Sequence, residues 1–176
     1  MNHNYTVERG NLLLRPLQEE DIEYLRCWRN DSKQTKFLRP IGHITADMQK
    51  KWFEKYLDNL DEVTFAIVET QKLNRIIGSI ALYDFTEDSA EIGKIQIGDP
   101  EAHGCGYGSL SIAMALQIAF TELGRKRVTA SVNRNNIPSY RSFQKVGFTV
   151  VGNHPSVVGG TEDLFQVDYS AFASNY

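Results

Sequence analysis

The stretch from Ile95 to Leu123 constrains the fold more than any other part of the chain. A short apolar run, Ile95-Gln96-Ile97, turns at Asp99-Pro100, passes three alternating glycines (Gly104, Gly106, Gly108) and enters a long segment rich in Ala, Leu, Ile and Met. That segment, Leu110 to Leu123, is apolar nearly all round, so it reads as a mostly buried helix. Gly124 ends it, and Arg125-Lys126-Arg127 suit its negative end. The order is therefore strand, turn, glycine loop, helix start. Glycine permits positive φ and close approach of backbone to a ligand. The first helical amides lack intrahelical partners and lie at the positive end of the dipole, an arrangement that takes phosphate or pyrophosphate. Read alone, the glycine triplet fits a tight packing turn equally well.

Two other phosphate loops are separable on residues alone. A nucleotide P-loop ends in Gly-Lys-Ser/Thr, whereas this one ends Gly106-Tyr107-Gly108-Ser109. A dinucleotide fingerprint needs Gly-x-Gly-x-x-Gly directly after its strand, with an acid about twenty residues on. Here the last spacing is wrong and three strands precede the loop. Both are excluded.

The remaining elements follow from periodicity. Leu12 to Pro16 predicts a first strand; Ile22, Leu25 and Trp28 follow at helical spacing behind Glu19-Glu20-Asp21. Thr45 is placed to cap a second helix with an apolar stripe of Met48, Trp52, Phe53, Tyr56, Leu57 and Leu60. Thr64–Val68 and Ile76–Tyr83 predict two strands across a polar turn. Ala90–Ile97 predicts a third, whose glycine content suggests a bulge or a close backbone approach. Val128–Val132 is a strand and Asn136–Val146 a short helix with Pro138 in its first turn; Thr149–Asn153 and Leu164–Tyr169 are late strands. The expectation is one mixed α/β domain over residues 1–176.

Composition narrows the class. Apolar residues are 41% and charged residues 23% of the 176, the balance of a globular protein. With a net charge of −3 and no basic block, nucleic acid is excluded as a partner; an amine substrate suits an acidic surface, though this charge steers weakly. No window reaches the length of a membrane span, and the start MNHNYTVERGN has no apolar stretch behind a basic one. Cys27 and Cys105 have no metal-ligand spacing and read as reduced thiols, so the expected setting is cytoplasmic, with no metal.

Two motifs in correct order carry a resemblance. The glycine loop after a strand ending in Asp99-Pro100 resembles the acyl-CoA loop of GNAT acetyltransferases. Asn136-Ile137-Pro138-Ser139 to Lys145-Val146-Gly147-Phe148 is similar to that family's second signature. Leu14-Arg15-Pro16-Leu17 with Asp21, then Trp28-Arg29-Asn30-Asp31, resembles the branch of ribosomal-protein N-terminal acetyltransferases. The resemblance implies the GNAT fold, a mixed and mostly antiparallel sheet flanked by helices, with acetyl-CoA as co-substrate. It also implies a small-molecule or peptide amine acceptor (protein N-terminus, polyamine, amino sugar or antibiotic amine), and a homodimer is compatible with it.

It implies residues as well. Ile97 and Gly98 pair with the pantetheine arm, and an amide near Ile97 holds the thioester carbonyl. His103, Gly104, Cys105, Gly106, Tyr107, Gly108 and Ser109 form the diphosphate loop, with His103 in place of the usual Arg or Gln. Asn136, Ser139 and Phe143 meet the cofactor from the other side, Phe143 standing where many members carry a tyrosine. Trp28, Arg29 and Asn30 line the acceptor pocket, with Trp52 and His43 as further candidates; core packing is the competing reading for the two tryptophans. An amine attacking a thioester must first lose a proton. Glu91 is the base candidate, Asp84 a weaker one, and a surface charge paired with Lys94 is the competing reading of Glu91. A covalent role for Cys105 lacks an evident base. A non-catalytic acyl-CoA sensor is the alternative to an enzyme.

Overall fold

In a computed structural model, residues 3–174 are described. The elements in order are β1 (Val7–Arg9), β2 (Leu12–Pro16), α1 (Ile22–Asn30), α2 (Ala46–Asp58), β3 (Glu62–Glu69), β4 (Arg75–Tyr83) and β5 (Ser89–Ile97). There follow α3 (Tyr107–Thr121), β6 (Arg127–Asn133), α4 (Ile137–Lys145), β7 (Thr149–Pro155), β8 (Thr161–Asp168) and a short α5 (Tyr169–Ala173). The strands form one eight-stranded sheet in the order β1-β2-β3-β4-β5-β6-β8-β7. Pairing is antiparallel except between β5 and β6. This is the expected mixed, mostly antiparallel α/β architecture.

The sheet is covered on both faces, which explains why β3 and β4 read as nearly continuous apolar runs. Alternate residues divide between the faces. Leu12, Leu14, Phe65, Ile67 and Ile77 join Ile112, Met114 and Leu116 of α3 in the larger core. Ala66 and Ile76 join Leu17, Trp28, Phe53 and Tyr56 in a smaller core under α1 and α2. Burying a large apolar side chain stabilises by about 1.5–3 kcal/mol, so α3, buried nearly all round, is the better anchored helix. Of the stripe expected on α2, only Phe53 and Tyr56 are buried; Met48, Trp52, Leu57 and Leu60 stay exposed. The helix packs along one edge, held by the Tyr56 hydroxyl, which accepts from the Thr64 N–H (3.0 Å) and donates to the Thr64 carbonyl (3.2 Å). Thr45 caps it as expected, accepting from the Met48 N–H at 3.2 Å.

Polar side chains fix two junctions. Arg15 donates twice to Asp21, at 2.6 and 2.8 Å, and Asp21 also accepts the Gln18 N–H, which sets the turn from β2 into α1. β1 and α5 were not legible in the sequence. Three residues of strand (Val7–Arg9) and five of helix are too short to show a period.

Glu69 organises the β3–β4 turn. It accepts from Asn11 Nδ2 (2.8 Å), from the amides of Gln71 (3.3 Å) and Lys72 (2.8 Å), and from the Leu73 amide. These donors, Leu73 foremost, lower its pKa from 4.5 to about 2. A depressed carboxyl pKa stabilises the fold fully above the unfolded value and loses that contribution as pH falls through the folded one. Glu69→Gln is therefore expected to lower Tm at neutral pH, with the gap from wild type closing between pH 4.5 and about 2; thermal melts across that range check it.

Candidate active site

The parallel ladder between β5 and β6 covers only Ser89–Arg127, Ala90–Val128 and Glu91–Thr129. Beyond it, β6 continues along β8 as far as Asn133. β5 bends away: Lys94 takes a left-handed φ of 49°, and the register with β4 slips between Ser79 and Ala81. This is the bulge the sequence suggested. A V opens between the strands, with Glu91 and Thr129 at its vertex. The Gly98 N–H donates to the Ile77 carbonyl at 2.9 Å, so by strand alternation Ile97 turns its own N–H and C=O into the V. The Ile97 carbonyl accepts from His103 Nε2 at 2.8 Å.

At the mouth of the V lies the glycine loop. Gly104 and Gly106 have φ of 75° and 80°, a conformation other residues adopt only with strain. Gly106 precedes α3 without any side-chain cap. The amides from Gly104 to Ser109 find no acceptor among the described residues. Nothing lies within 4 Å of the positions a Cβ would take at Gly104 or Gly106. Bare donors at the positive end of a long helix fit a diphosphate. Tyr107 fastens this turn to the sheet, its hydroxyl accepting from Asn11 at 2.7 Å, and Ser109 Oγ donates to the Gly106 carbonyl at 3.0 Å. Cys105 Sγ approaches only the carbonyls of Glu101 (4.0 Å) and His103 (3.7 Å), so no base attends it among the described residues.

Four expected positions come out differently: Gly98, Phe143, Asn30 and, in the cavity described below, Trp28. Gly98 is committed on every side: its N–H to Ile77, its carbonyl to Gln34 at 3.2 Å, and its open face to Trp28, whose ring would lie 2.0 Å from a Cβ there. Gly98 is a packing position under Trp28, not an edge open to a ligand. Phe143 is 2% exposed, edge-on to Phe148 at 5.0 Å, so it belongs to the core. Asn30 clamps the loop after α1, exchanging two 2.9 Å hydrogen bonds with the Ile44 backbone. On α4, Asn136 Oδ1 caps the helix, accepting the Ser139 N–H at 3.4 Å. The Tyr140 hydroxyl donates to buried Asp163 at 2.9 Å, and that bond raises the phenol's pKa.

On the opposite face, α1, α2 and the loop joining them enclose a cavity of about 570 Å³ against β3, β4 and β5, lined among others by Arg29, Phe37, Trp52, Glu62, Lys94 and Gln96. Trp52 thus faces the cavity, stacked on Tyr56 with ring centres 5.6 Å apart, while Trp28 is core. His43 lies outside this lining. Lys94 forms its ion pair with Glu62 and not with Glu91, and its Nζ sits 4.8 Å from the centre of the Tyr83 ring. Sequence reasoning missed Glu62, Phe37 and Arg39; only the bulge brings Lys94 to the first of them.

Glu91 is half-buried, is not among the residues lining this cavity, and accepts from the Tyr83 hydroxyl at 3.0 Å. Burial, foremost, raises its pKa, with Asp84 and Glu162 adding to the rise and Tyr83 and His154 opposing it. A carboxyl raised in this way is a stronger proton acceptor once ionised.

Comparison with known proteins places these features. Residues 11–149 match the family described as acetyltransferase (GNAT) domain. The chain is 30% identical over 143 residues to the uncharacterized N-acetyltransferase YnaD of Bacillus subtilis, covering 80% of this chain and 81% of that protein. It is 24% identical over 164 residues to an N-acetyltransferase 9-like protein of Nematostella vectensis, covering 86% and 81%. In structure it is similar to spermidine N-acetyltransferase from Vibrio cholerae in complex with CoA and spermine, with TM-score 0.84, 22% identity and coverage of 94% and 99%.

Gly98→Ala is expected to destabilise the protein by about 1–3 kcal/mol, the usual range for overpacking, and to displace Trp28. Denaturant melts together with tryptophan fluorescence check both; an unshifted midpoint would count against the packing role.

Proposed function

The chain belongs to the GNAT acetyltransferase family, whose members draw the acetyl group from acetyl-CoA, and we propose that it delivers that group by direct attack of a primary amine held in the cavity between α1, α2 and the sheet. The observation that carries this reading is the V between β5 and β6, with a row of bare amides at its mouth. Donor and acceptor approach from opposite faces of the sheet and meet where the strands part.

In this reading bound acetyl-CoA supplies a thioester. The amides of Gly104 to Ser109 hold its diphosphate, and the free edge of β5 pairs with the pantetheine arm. The Ile97 N–H stabilises charge developing on the thioester oxygen. Glu91, through water, takes the proton that an alkylammonium, with a pKa of about 10.4, must lose. Nitrogen then bonds to the acyl carbon as the carbon–sulfur bond breaks, and the electron pair leaves on sulfur. Phe143 offers no proton, and none is demanded: a thiol pKa of about 8.5 lets sulfur depart as thiolate. Holding amine and thioester in line supplies much of the acceleration.

The sequence left the acceptor open among a protein N-terminus, as in the ribosomal-protein branch, a polyamine, an amino sugar and an antibiotic amine. A cavity of about 570 Å³ walled on several sides favours a small molecule.

Calorimetry with CoA on folded protein tests the donor site; absence of heat at millimolar CoA would overturn it. Glu91→Gln is expected to lower kcat by about 10²–10⁴ while acetyl-CoA affinity holds. It should also remove an acidic limb of the pH–rate profile lying above the ordinary carboxylate range of 4.5. Unchanged turnover across pH would take Glu91 out of the mechanism.

A further inference from the structure

The charges that line the two cavities beside α1 and the loop after it are mostly positive. Arg15, Arg26, Arg75, Arg127 and Arg134 each meet a carboxylate within 2.9 Å. Arg29 at the end of α1, and Lys36 and Arg39 on the loop after it, meet none among the described residues. Arg29 is partly buried, has only the Arg39 carbonyl as hydrogen-bond partner among the described residues, and its burial lowers its pKa. Lys36 rests on the Phe37 ring at 5.3 Å.

These three cations share one space. A second cavity, of about 420 Å³, is lined by Arg29, Lys36 and Arg39 and reaches Val157 and Val158 in the turn between β7 and β8. It shares Arg29, Leu38, Arg39 and Ile41 with the larger cavity. The carboxylate in the two linings is Glu62, and Lys94 already neutralises it. In a protein of net charge −3, the two linings thus carry four cations, Arg29, Lys36, Arg39 and Lys94, against one carboxylate.

We infer that the acceptor is an anionic amine, a small molecule carrying an oxyanion (carboxylate or phosphate) that Arg29, Lys36 and Arg39 bind while its amino group reaches the V. This rests on the acetyl-transfer reading above and narrows it. Guanidinium groups pair with such oxyanions in two-pronged geometry. A polyamine meets the reverse situation: it brings positive charge to a lining that is already positive, with one neutralised carboxylate to receive it. The apolar wall of Phe37, Leu38, Ile41 and Trp52 takes the uncharged part of the molecule.

Matched amines test this in a thiol-release assay with acetyl-CoA: glucosamine against glucosamine 6-phosphate for the phosphate arm, butylamine against 4-aminobutyrate for the carboxylate arm, and spermine as the cationic arm. In at least one pair the anionic member is expected to have the higher kcat/KM by on the order of tenfold or more, the worth of a charge-assisted hydrogen bond, and the winning arm identifies the oxyanion. Arg39→Gln and Lys36→Gln, at exposed loop positions, should shrink that ratio. Preference for spermine, parity within both pairs, or a ratio unmoved by both substitutions overturns the inference. Calorimetry of the same pairs, with and without CoA, reads the preference independently of turnover; no binding of either anionic probe overturns it too. Failure of the donor site is separate, because it shows as missing CoA heat before any acceptor is added.

Discussion

The candidate site hangs on a ladder that ends early. β5 and β6 pair through Glu91–Thr129 and then part, because Lys94 turns left-handed and β5 slips against β4. Had the pairing continued, the edge groups of Ile97 would be spent on β6. Buried backbone donors and acceptors without partners are costly, so an open V is tolerated only where water or a ligand can reach it. The glycine loop stands at that opening for the same reason: its amides are left to solvent or an anion, and α3, the best buried helix of the fold, holds them in place.

The two cores divide the labour. The larger one, around α3 and α4, fixes the glycine loop; the smaller, around α1 and α2, is thin and leaves apolar side chains of α2 facing a cavity. A tightly packed face under α3 and a roomier one under α1 and α2 follow from how much apolar surface each face buries. Trp28 couples them, since its ring lies on Gly98 at the end of β5. A change in the α1 side is therefore felt at the strand that carries Ile97.

Net charge turned out to be a poor guide to the site. The chain is mildly acidic, which suits an amine in general terms, yet the cavities beside α1 and the loop after it carry Arg29, Lys36, Arg39 and Lys94. Local fields in a partly desolvated cleft outweigh a small overall charge spread over the surface.

What the sequence determined by itself was the part encoded locally. Helix and strand periods placed the long elements to within a few residues, Thr45 marked a cap, glycine spacing marked the turn into α3, and two ordered motifs pointed to the family. Tertiary structure alone decided what each residue near the site is for. Gly98 and Phe143 sit inside recognisable motifs but serve packing, Asn30 clamps a loop, and Lys94 chooses Glu62 over Glu91. The same holds for Arg29, Lys36 and Arg39, which come from a helix end and a loop and share one cavity only once the fold closes around it. The physical reason is range: a turn or a helix is set by neighbours in the chain, whereas a side chain's partner, and hence its role, is set by whichever distant segment packing brings to within a few ångströms.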